Sequence, residues 1–435
     1  MKAFLCGSYK WANKGDAALV VSLIAWLRRL DVNATGMTSF DPVGDQTHYD
    51  IPVHAMPVRP PGRYRLFAEG LLSRSQLARR MLARCRMLVA WGWFVYFPYW
   101  GRLYVRHPWV ARVFSTRSTW VLAKEMRGSD VVIGVPGGYI QAPRLIDDWW
   151  LLHLPGFLLA KGMGKPVILS PCSVGPFDSA HLALAKRFLM SLDLIAVRED
   201  YTVLLLEGLG ISEDRLSRSP DMAFLFDRQD IGAFGQLALA SLEKYAVEHS
   251  GLVGVSVREH SFPGSVNPQA RMDAYLAECA FALRRLHDAG AGIVLIHQTE
   301  EDARVTSELG RLLQQEHVPC IVLDPRLEPW DLRQVYRKLD MLIGTRMHAN
   351  ILAMGAGTPV VGIGYEHKTM GILARLGLDE WGLWIDQVVD GDLWPLVQRC
   401  WNARAANCSL LPSVLKSVDD EFDRVGREIA RVVKG

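Results

Sequence analysis

Short apolar runs alternate with amphipathic stretches along nearly the whole chain. Residues 3–6 form a run typical of a buried strand, and apolar residues then recur at helical spacing from Ala17 to Leu30. Further runs predict strands at 131–135, 167–170, 194–197, 252–257, 293–296, 321–323, 341–344 and 360–363. Helical patterns lie between most of them, so the chain is expected to form mainly parallel sheets covered by helices on both faces.

The length of the chain predicts more than one domain. Its 435 residues exceed what one hydrophobic core usually serves. A polar segment with few strand signals, 226–250, separates two series of strand–helix units. The predicted fold class is therefore α/β, with Rossmann-like domains at 1–228 and 250–410. Apolar positions from Leu411 to Val432 trace one helical stripe, which predicts a terminal helix over 411–435.

Charge and cysteine content indicate in which cellular compartment the protein resides. The net charge is only +3, and the seven cysteines are scattered without a Cys-x-x-Cys pair. A disulfide framework or a zinc knuckle is therefore disfavoured, and a reducing compartment is expected. The chain shows neither a signal-peptide layout at its start nor about 18 consecutive apolar residues. These features predict a cytoplasmic protein without a membrane-spanning helix.

The stretch 59–117 differs from the rest of the chain. It contains twelve arginines and a single acid, Glu69, and seven aromatic residues lie within 87–100. Two interpretations stay open. Aromatic rings bounded by arginines suit an anionic membrane surface, and they equally suit an internal helical hairpin with an aromatic core and a solvated basic rim. Nucleic acid is disfavoured, because the remaining sequence shows no nucleic-acid module.

Candidate binding residues follow the apolar runs, because ligands of parallel sheets bind at the carboxyl ends of strands. Thr345, Arg346 and His348 follow the run 341–344 and adjoin a new helical pattern. A guanidinium, an imidazole and free helix amides together suit an anion. The alternative is an ordinary capped helix with a surface arginine and a packed histidine.

Two more cations occupy similar positions. Arg198 directly follows the run 194–197, and Lys368 lies in the loop after 360–364. Either residue alone is typical of a solvated charge. Cations after three different strands nevertheless predict a site for a small, multiply charged anion.

Several loops offer polar or glycine positions at predicted strand ends. In the turn 13–16, Asn13 and Gly15 precede Asp16, which is either the cap of the first helix or a general base. Glycine at 15 allows a ligand to approach the backbone closely. The other candidates are Gly137, Gly138, Ser173 and Asp221.

Several common motifs are missing from the sequence. It has no phosphate-binding P-loop, no Gly-x-Gly-x-x-Gly after the first strand, no His-Glu-x-x-His and no Gly-x-Ser-x-Gly. Nucleotide P-loop chemistry, a standard dinucleotide site, a zinc protease site and an α/β-hydrolase are therefore disfavoured. We expect no cofactor and no metal.

The strand-end motifs in their order resemble the polysaccharide pyruvyl transferase family. The matching segments are 13–16, 137–138, 173–176, 197–200, 220–221, 345–348 and the loop at Lys368. The sequence departs from the family pattern at Met347, where leucine is usual, and at Tyr139, where a third glycine is common. The resemblance implies the two-domain GT-B architecture of nucleotide-sugar glycosyltransferases.

The resemblance also implies an activity. Members of the family transfer the enolpyruvyl group of phosphoenolpyruvate to a hexose of an envelope or secreted polysaccharide and form a pyruvate ketal. Carried over by position, Arg198, Arg346, His348 and Lys368 hold the donor, with 1–228 as the acceptor side and 250–410 as the donor side. His348 either relays the proton or only binds phosphate, and Asp16 or Asp221 accepts the hydroxyl proton.

The expected partners are phosphoenolpyruvate and a sugar or lipid-linked oligosaccharide. A lipid-linked acceptor fits a peripheral location on the inner face of the cytoplasmic membrane, reached through 59–117. Two alternatives remain. One is a GT-B nucleotide-sugar glycosyltransferase, for which Glu366 is the candidate ribose ligand, and the other is a non-catalytic component of a polysaccharide assembly complex.

Overall fold

A computed structural model describes residues 1–7, 11, 13–58 and 76–434. The chain forms two compact units, each built on its own parallel sheet. Unit 1 comprises Met1–Trp11, Leu23–Pro220 and Phe422–Gly435. Unit 2 comprises Ala12–Ser22 and Asp221–Glu421. The first helix thus contributes its opening turns to unit 2 and its later turns to unit 1.

In the described part of unit 1 the sheet has eight strands, and their pairings are all parallel. The strands are β1 (Lys2–Cys6), β2 (Asn33–Ser39), β3 (Val53–Ala55), β4 (Val131–Gly134), β5 (Gly137–Ala142), β6 (Val167–Phe177), β7 (Leu194–Val197) and β8 (Leu216–Arg218). They lie in the order β3-β2-β1-β4-β6-β7-β8, and β5 pairs with β6. The order reverses between β1 and β4, which is where such sheets bind ligands.

Within the described residues up to Leu209, eight helices are present. They are α1 (Lys14–Arg29), α2 (Pro42–Asp45), α3 (Gln76–Arg106), α4 (Pro108–Val113), α5 (Arg117–Arg127), α6 (Leu154–Gly162), α7 (Ser179–Met190) and α8 (Asp200–Gly208). Short 3₁₀ turns at Trp149–His153 and Glu213–Arg215 complete this part of unit 1.

The long helix α3 packs closely on α6 because small residues meet at the crossing. A Cβ added at Gly162 would lie 2.4 Å from the carbonyl oxygen of Pro98, and one at Gly101 would lie 2.8 Å from that of Leu159. One face of α3 therefore enters the core of unit 1, where Phe94, Phe97 and Trp100 are buried.

Unit 2 contains a six-stranded parallel sheet. Its strands are β9 (Leu252–Ser256), β10 (Gly292–Leu295), β11 (Cys320–Val322), β12 (Met341–Gly344), β13 (Val360–Gly364) and β14 (Gly382–Trp384). Their order is β11-β10-β9-β12-β13-β14, the doubly wound arrangement. The order reverses between β9 and β12, so the sheet presents a binding crevice at the carboxyl ends of these two strands.

The helices of unit 2 cover both faces of this sheet. They are α9 (Ala233–Ala246), α10 (Pro268–Asp288), α11 (Ala303–Gln315), α12 (Pro329–Tyr336), α13 (Met347–Gly355), α14 (His367–Arg375), α15 (Ile385–Val389) and α16 (Leu393–Asn402). The last helix, α17 (Arg404–Lys434), begins in unit 2 and ends in unit 1. Turns of 3₁₀ type occur at Met222–Leu225, Glu300–Asp302 and Asp379–Trp381.

The predicted fold class is confirmed: both units are α/β with parallel sheets. The chain passes from unit 1 to unit 2 at Pro220–Asp221, whereas the sequence had suggested a boundary within 226–250. The terminal helix starts at Arg404 and not at 411, because the helical spacing continues upstream through a polar stretch.

The segment 59–117 falls partly outside the described residues, which resume at Gln76. From there it forms α3 and α4 and the first turn of α5, so the aromatic stretch 87–100 belongs to one long helix and not to a hairpin. Among the helices described, none is long and apolar enough to cross a membrane.

Candidate active site

Arg346 and His348 lie at the turn between β12 and α13, at the crevice of unit 2. Local hydrogen bonds fix this turn. The side-chain amide of Asn350 donates to the carbonyl of Gly344 at 2.9 Å, and the hydroxyls of Thr345 and Tyr275 are 2.6 Å apart. The carboxyl end of β12 and the first turn of α13 are thereby held together.

Arg346 is oriented by a buried carboxylate. Its Nε lies 3.1 Å from both carboxylate oxygens of Asp302, and its Nη2 lies 2.5 Å from Oδ1. Nη2 also donates to Thr299 Oγ1 at 3.1 Å. Asp302 is fully buried, whereas 17% of the Arg346 side chain is exposed. A bidentate ion pair with a buried carboxylate fixes the orientation of the guanidinium plane.

Two properties of Arg346 follow from this pair. Burial by itself lowers the pKa of Arg346, but the hydrogen bonds and the charge of Asp302 outweigh burial, so that the pKa lies above its ordinary value. The bonds to Asp302 and Thr299 use Nε and Nη2. Within the described part of the chain no acceptor bonds to Nη1, so this nitrogen can donate to a ligand.

The turn that opens α1 belongs to unit 2 and forms a reciprocal cap. Asn13 Nδ2 donates to the carboxylate of Asp16 at 2.7 Å, and the amide of Asp16 lies 3.4 Å from Asn13 Oδ1. Asn13 precedes the helix and Asp16 is its third residue. The sequence had offered Asp16 as the cap, but Asn13 occupies that position and Asp16 supports it.

Gly15 lies directly against the imidazole of His348. A Cβ built on Gly15 would be 2.3 Å from His348 Nδ1 and 2.5 Å from its Cγ. Both residues stand second in their helices, so the amino ends of α1 and α13 meet around this imidazole. Helix amino ends carry partial positive charge and free amides, which favour a bound anion.

Lys14 is a buried cation beside the same turn. Only 7% of Lys14 is exposed, and its Nζ donates to the carbonyls of Pro325 at 2.8 Å and His297 at 3.2 Å. Burial lowers the pKa of Lys14 to about 8, against the opposing charges of Glu328 and other nearby acids. The amine anchors the start of α1 to the loops that follow β10 and β11.

Lys368 stands in the first turn of α14, on the loop after β13. Its Nζ lies 3.6 Å from the carboxylate of Glu366, and 22% of its side chain is exposed. Tyr365 begins this loop, and the guanidinium of Arg258 lies 3.9 Å from the centre of its ring. Arg258 follows β9, so cations from three adjacent strands occupy this edge of the sheet.

Asp221 performs a structural task in unit 2. It is 1% exposed, and its Oδ1 accepts from the amide of Ala223 at 2.8 Å, which caps the turn Met222–Leu225. Capping of this kind satisfies an otherwise unpaired backbone donor.

The remaining predicted residues belong to unit 1. They lie at or next to positions that pair in register across neighbouring strands of its sheet. Gly137 on β5 pairs in register with Cys172 on β6, which in turn pairs with Val197 on β7. Ser173 and Arg198 follow these positions, and Arg198 Nε donates to Ser173 Oγ at 2.7 Å. Arg198 is 2% exposed.

The glycine loop at 137–138 has a specific backbone requirement. Gly137 has φ of 125°, a conformation that residues with a side chain rarely adopt, and Gly138 follows it in β5. The ring of Tyr139, at the position where the family often has a third glycine, lies 4.5 Å from that of His153. Tyr139 is thus packed in unit 1, and burial raises its pKa.

Sequence reasoning missed two contributors in unit 2. Lys14 lay inside a turn that was singled out, yet only its neighbours were chosen, although a lysine beside a glycine at a helix start is itself an anion-site signal. Asp302 lay three residues after Thr299 in a loop that follows a strand, and an acid at a strand end could have been matched to Arg346. Over the described residues, no group of three or more His, Cys, Asp or Glu side chains is placed to hold a metal ion.

Two α/β units with parallel sheets and cations at strand ends define the class of fold, and comparison with known proteins specifies the family. The family model for polysaccharide pyruvyl transferase matches residues 13–367. The chain belongs to the polysaccharide pyruvyl transferase family, as its motifs indicated. Lys368 lies one position beyond the matched range.

The chain is similar to the amylovoran biosynthesis protein AmsJ of Erwinia amylovora. It is 24% identical over 447 residues, which cover all of this chain and 96% of AmsJ. The chain is thereby related to proteins of exopolysaccharide biosynthesis.

Solved structures share the fold at low identity. HepE of Anabaena in complex with UDP-glucose has a TM-score of 0.55 and 12% identity, covering 100% of this chain and 99% of HepE. UDP-GlcNAc 2-epimerase of Neisseria meningitidis has a TM-score of 0.53 and 9% identity, covering 99% and 100%. These likenesses confirm the GT-B-like architecture.

Proposed function

We propose that this protein is a phosphoenolpyruvate-dependent pyruvyl transferase that forms a pyruvate ketal on a hexose of an exopolysaccharide precursor. The observation that carries the proposal is the crevice of unit 2, where Arg346 and His348 meet the amino ends of α1 and α13. Membership of the family and the relationship to AmsJ supply the polysaccharide context.

The crevice suits a donor that carries two anionic groups on a small frame. Arg346 offers Nη1 from a guanidinium that Asp302 keeps in one plane. The amides of two helix amino ends offer further donors, and Lys368 adds a charge at the next strand. Oriented donors of this kind stabilise a leaving phosphate without reorganisation during the reaction.

The transfer itself is an addition followed by loss of phosphate. A proton adds to the methylene carbon of the donor, and C2 becomes an oxocarbenium-like centre. A sugar hydroxyl attacks C2 and loses its proton, and the C2–phosphate bond breaks. Loss of phosphate leaves C2 as an oxocarbenium centre again, and a second hydroxyl of the same sugar adds to it, gives its proton to the released phosphate and closes the ketal.

His348 is the candidate acid for the first step, because imidazole exchanges protons near neutral pH. Its ring lies against Gly15, where no side chain separates it from the helix backbone. Asp16 is the candidate base for the sugar hydroxyl, since its carboxylate is partly exposed beside Asn13. Asp221 is a weaker candidate, because it is buried and caps a turn.

Arg198 is proposed as a further donor ligand on the strength of its position in the family motif. It is buried and its Nε is bonded to Ser173 in unit 1. Replacing Ser173 by alanine removes that bond without removing the charge, and it should weaken donor binding less than Arg198→Ala does.

Ligand-dependent stability tests the donor. A ligand that binds only the folded protein stabilises it by about 2.7 kcal/mol at a hundredfold excess over its dissociation constant. We expect phosphoenolpyruvate to raise the melting temperature and Arg346→Lys to abolish the shift. The nucleotide-sugar alternative predicts instead that UDP-glucose stabilises the protein and phosphoenolpyruvate does not.

We further propose that the acceptor is lipid-linked and that α3 rests on an anionic membrane surface. The outer face of α3 is formed by Leu77, Met81, Leu88, Val95 and Tyr99, which recur at intervals of four or seven residues. All five are exposed, from 60% for Met81 to 72% for Leu88. The helix has 31 residues and is about 46 Å long, and the stripe from Leu77 to Tyr99 spans about 33 Å of it.

The charges beside this outer face favour lipid over a second protein chain as its occupant. Between Gln76 and Lys124 the sequence contains no Asp or Glu, and Arg84, Arg102 and Arg106 are exposed on α3. A second copy of the chain would set arginine against arginine with no acid to pair. An anionic lipid surface instead accepts both the apolar side chains and the cations.

A further inference from the structure

A groove of about 390 Å³ opens at the carboxyl edge of the sheet in unit 2. Its walls come from the loop after β9, from Tyr365 after β13, from Trp384 at the end of β14 and from Asp386 after it. Ligand sites of small molecules have similar volumes and combine apolar walls with a few polar groups. None of the residues that line this groove entered the predicted site.

The walls are aromatic and their rings are held by neighbours. The ring of His260 lies 4.7 Å from that of Phe262 and 5.7 Å from that of Tyr365. His367 meets the Trp384 ring edge-on at 5.6 Å. Aromatic faces arranged around an open groove suit a flat, partly apolar ligand.

The polar groups of the groove are suited to hydroxyls and not to phosphates. Arg271 Nη2 lies 2.7 Å from the carboxylate of Asp386, so its charge is already paired. Burial, followed by the charge of Arg258, lowers the pKa of His260, which keeps its imidazole neutral and able both to donate and to accept. A diphosphate would meet a carboxylate here, whereas a hydroxyl can bond to each of these groups.

The backbone of the groove is strained at one of its aromatic residues. Phe262 has φ of 41°, although it is not glycine, and it is only 3% exposed. The guanidinium of Arg271 lies 5.5 Å from its ring centre. Non-glycine residues in this conformation cost energy and persist mainly where surrounding structure and function require them.

We infer that this groove binds one pyranose ring of the acceptor saccharide, which departs from the expectation that 1–228 alone forms the acceptor side. The C–H face of a pyranose is apolar and stacks on an aromatic ring, while its hydroxyls point to the rim, where Asp386, His260 and Ser265 lie. The inference rests on the proposed function for the identity of the acceptor. Tyr365 connects this groove with the proposed donor site. It lines the groove and begins the loop that carries Lys368.

Binding can be tested without turnover. Saturation-transfer NMR of the wild-type protein with methyl glucopyranoside, methyl galactopyranoside and UDP should show contact with a glycoside, and Trp384→Ala should abolish it. Trp394→Ala is the matched control, because Trp394 is also a partly buried tryptophan of unit 2 with an arginine beside its ring. Its glycoside signal should equal that of the wild type.

Kinetics test the role of the groove in transfer. With an oligosaccharide acceptor, Trp384→Ala and Asp386→Ala should each raise the acceptor KM at least tenfold and leave the KM for phosphoenolpyruvate within twofold. If both KM values stay unchanged, or if UDP displaces the glycoside from the groove, the inference is overturned. If the wild type never consumes phosphoenolpyruvate, the proposed function fails, and the glycoside signal still decides whether the groove binds a sugar.

Discussion

Gly15 and His348 are in contact so close that only a hydrogen atom fits between the glycine backbone and the imidazole. A methyl group on Gly15 would lie 2.3 Å from Nδ1 of the ring, well inside contact distance. The two residues lie 333 positions apart in the sequence, and both belong to unit 2. The contact fixes where the imidazole stands relative to the amino ends of two helices.

Replacing Gly15 by alanine should therefore displace His348 and lower kcat by about a hundredfold, since a shift of about 1 Å in a catalytic group has effects of that order. Steady-state turnover of phosphoenolpyruvate measures the loss. Gly371→Ala is the control, because Gly371 lies in α14 and a Cβ there meets no atom within 4 Å. If Gly15→Ala and Gly371→Ala were equally active, the proposed role of His348 in the reaction would be contradicted.

The pair formed by Arg346 and Asp302 allows stability and donor binding to be separated. Arg346→Ala leaves a fully buried carboxylate without its partner, and the loss of one member of a buried pair costs about 3–5 kcal/mol. The double variant Arg346→Ala/Asp302→Ala removes both charges and should regain part of that stability, because Asp302→Ala also removes the acceptor of the buried Thr299 amide.

Donor binding should not return in the double variant, because the guanidinium is missing. Urea denaturation gives the stability of each variant, and calorimetry with phosphoenolpyruvate gives the affinity. Donor affinity restored together with stability would mean that Arg346 supports the fold and does not contact the donor.

Lys14 predicts a pH dependence of stability. Its pKa is about 8 in the folded protein and 10.5 in its ordinary state, so the unfolded chain binds more protons between these two values. The free energy of unfolding therefore gains a contribution from Lys14 as the pH rises from 8 towards 10.5, and this contribution is lost as the pH falls through 8.

Lys14→Met abolishes this contribution. The difference between the unfolding free energies of wild type and variant should thus shift in favour of the wild type between pH 7.5 and pH 9.5. Lys416→Met, at an exposed position of α17, serves as the control for the removal of a lysine elsewhere in the chain. A pH-independent difference for Lys14→Met would contradict the burial of its charge.

The outer face of α3 predicts binding to anionic vesicles. Leu88→Ser and Val95→Ser each remove an exposed apolar side chain, worth about 1.5–3 kcal/mol if it becomes fully buried in lipid. Sedimentation with vesicles containing phosphatidylglycerol should show at least a tenfold loss of affinity for either variant. Raising the salt concentration should weaken the binding of the wild type, because its cationic part is screened.

The matched control for these variants is Leu237→Ser on α9 of unit 2, because Leu237 is exposed to 67% on a helix whose own sequence contains no arginine. It should sediment like the wild type. Equal sedimentation of the wild type with neutral and anionic vesicles would contradict the proposal that this face binds anionic lipid.

The sequence specified the strands best where apolar runs are buried on both faces. The predicted runs 194–197 and 341–344 coincide with β7 and β12 to the residue, because central strands of parallel sheets are continuously apolar. β2 was missed, since its sequence from Asn33 to Ser39 is polar and contains glycine, and its place beside β1 is decided by the sheet.

The site was predictable as a set of strand-end residues and not as a geometry. The rule that ligands bind at carboxyl ends of strands found Arg346 and His348. It could not find the pair with Asp302, which lies 44 residues away on another strand-end loop, or the contact between Gly15 and His348. Those relationships arise only when the sheet places separate loops side by side.

The most direct test of the proposed function follows the pyruvyl carbon. The protein is incubated with phosphoenolpyruvate labelled with ¹³C at C2 and with a lipid-linked oligosaccharide precursor, and the saccharide is examined by NMR. We predict that the label appears in the saccharide as a carbon bonded to two oxygens, with one phosphate released per label and none with Arg346→Ala/Asp302→Ala. Unchanged phosphoenolpyruvate, together with consumption of UDP-glucose in a parallel reaction, would contradict the account and identify a glycosyltransferase.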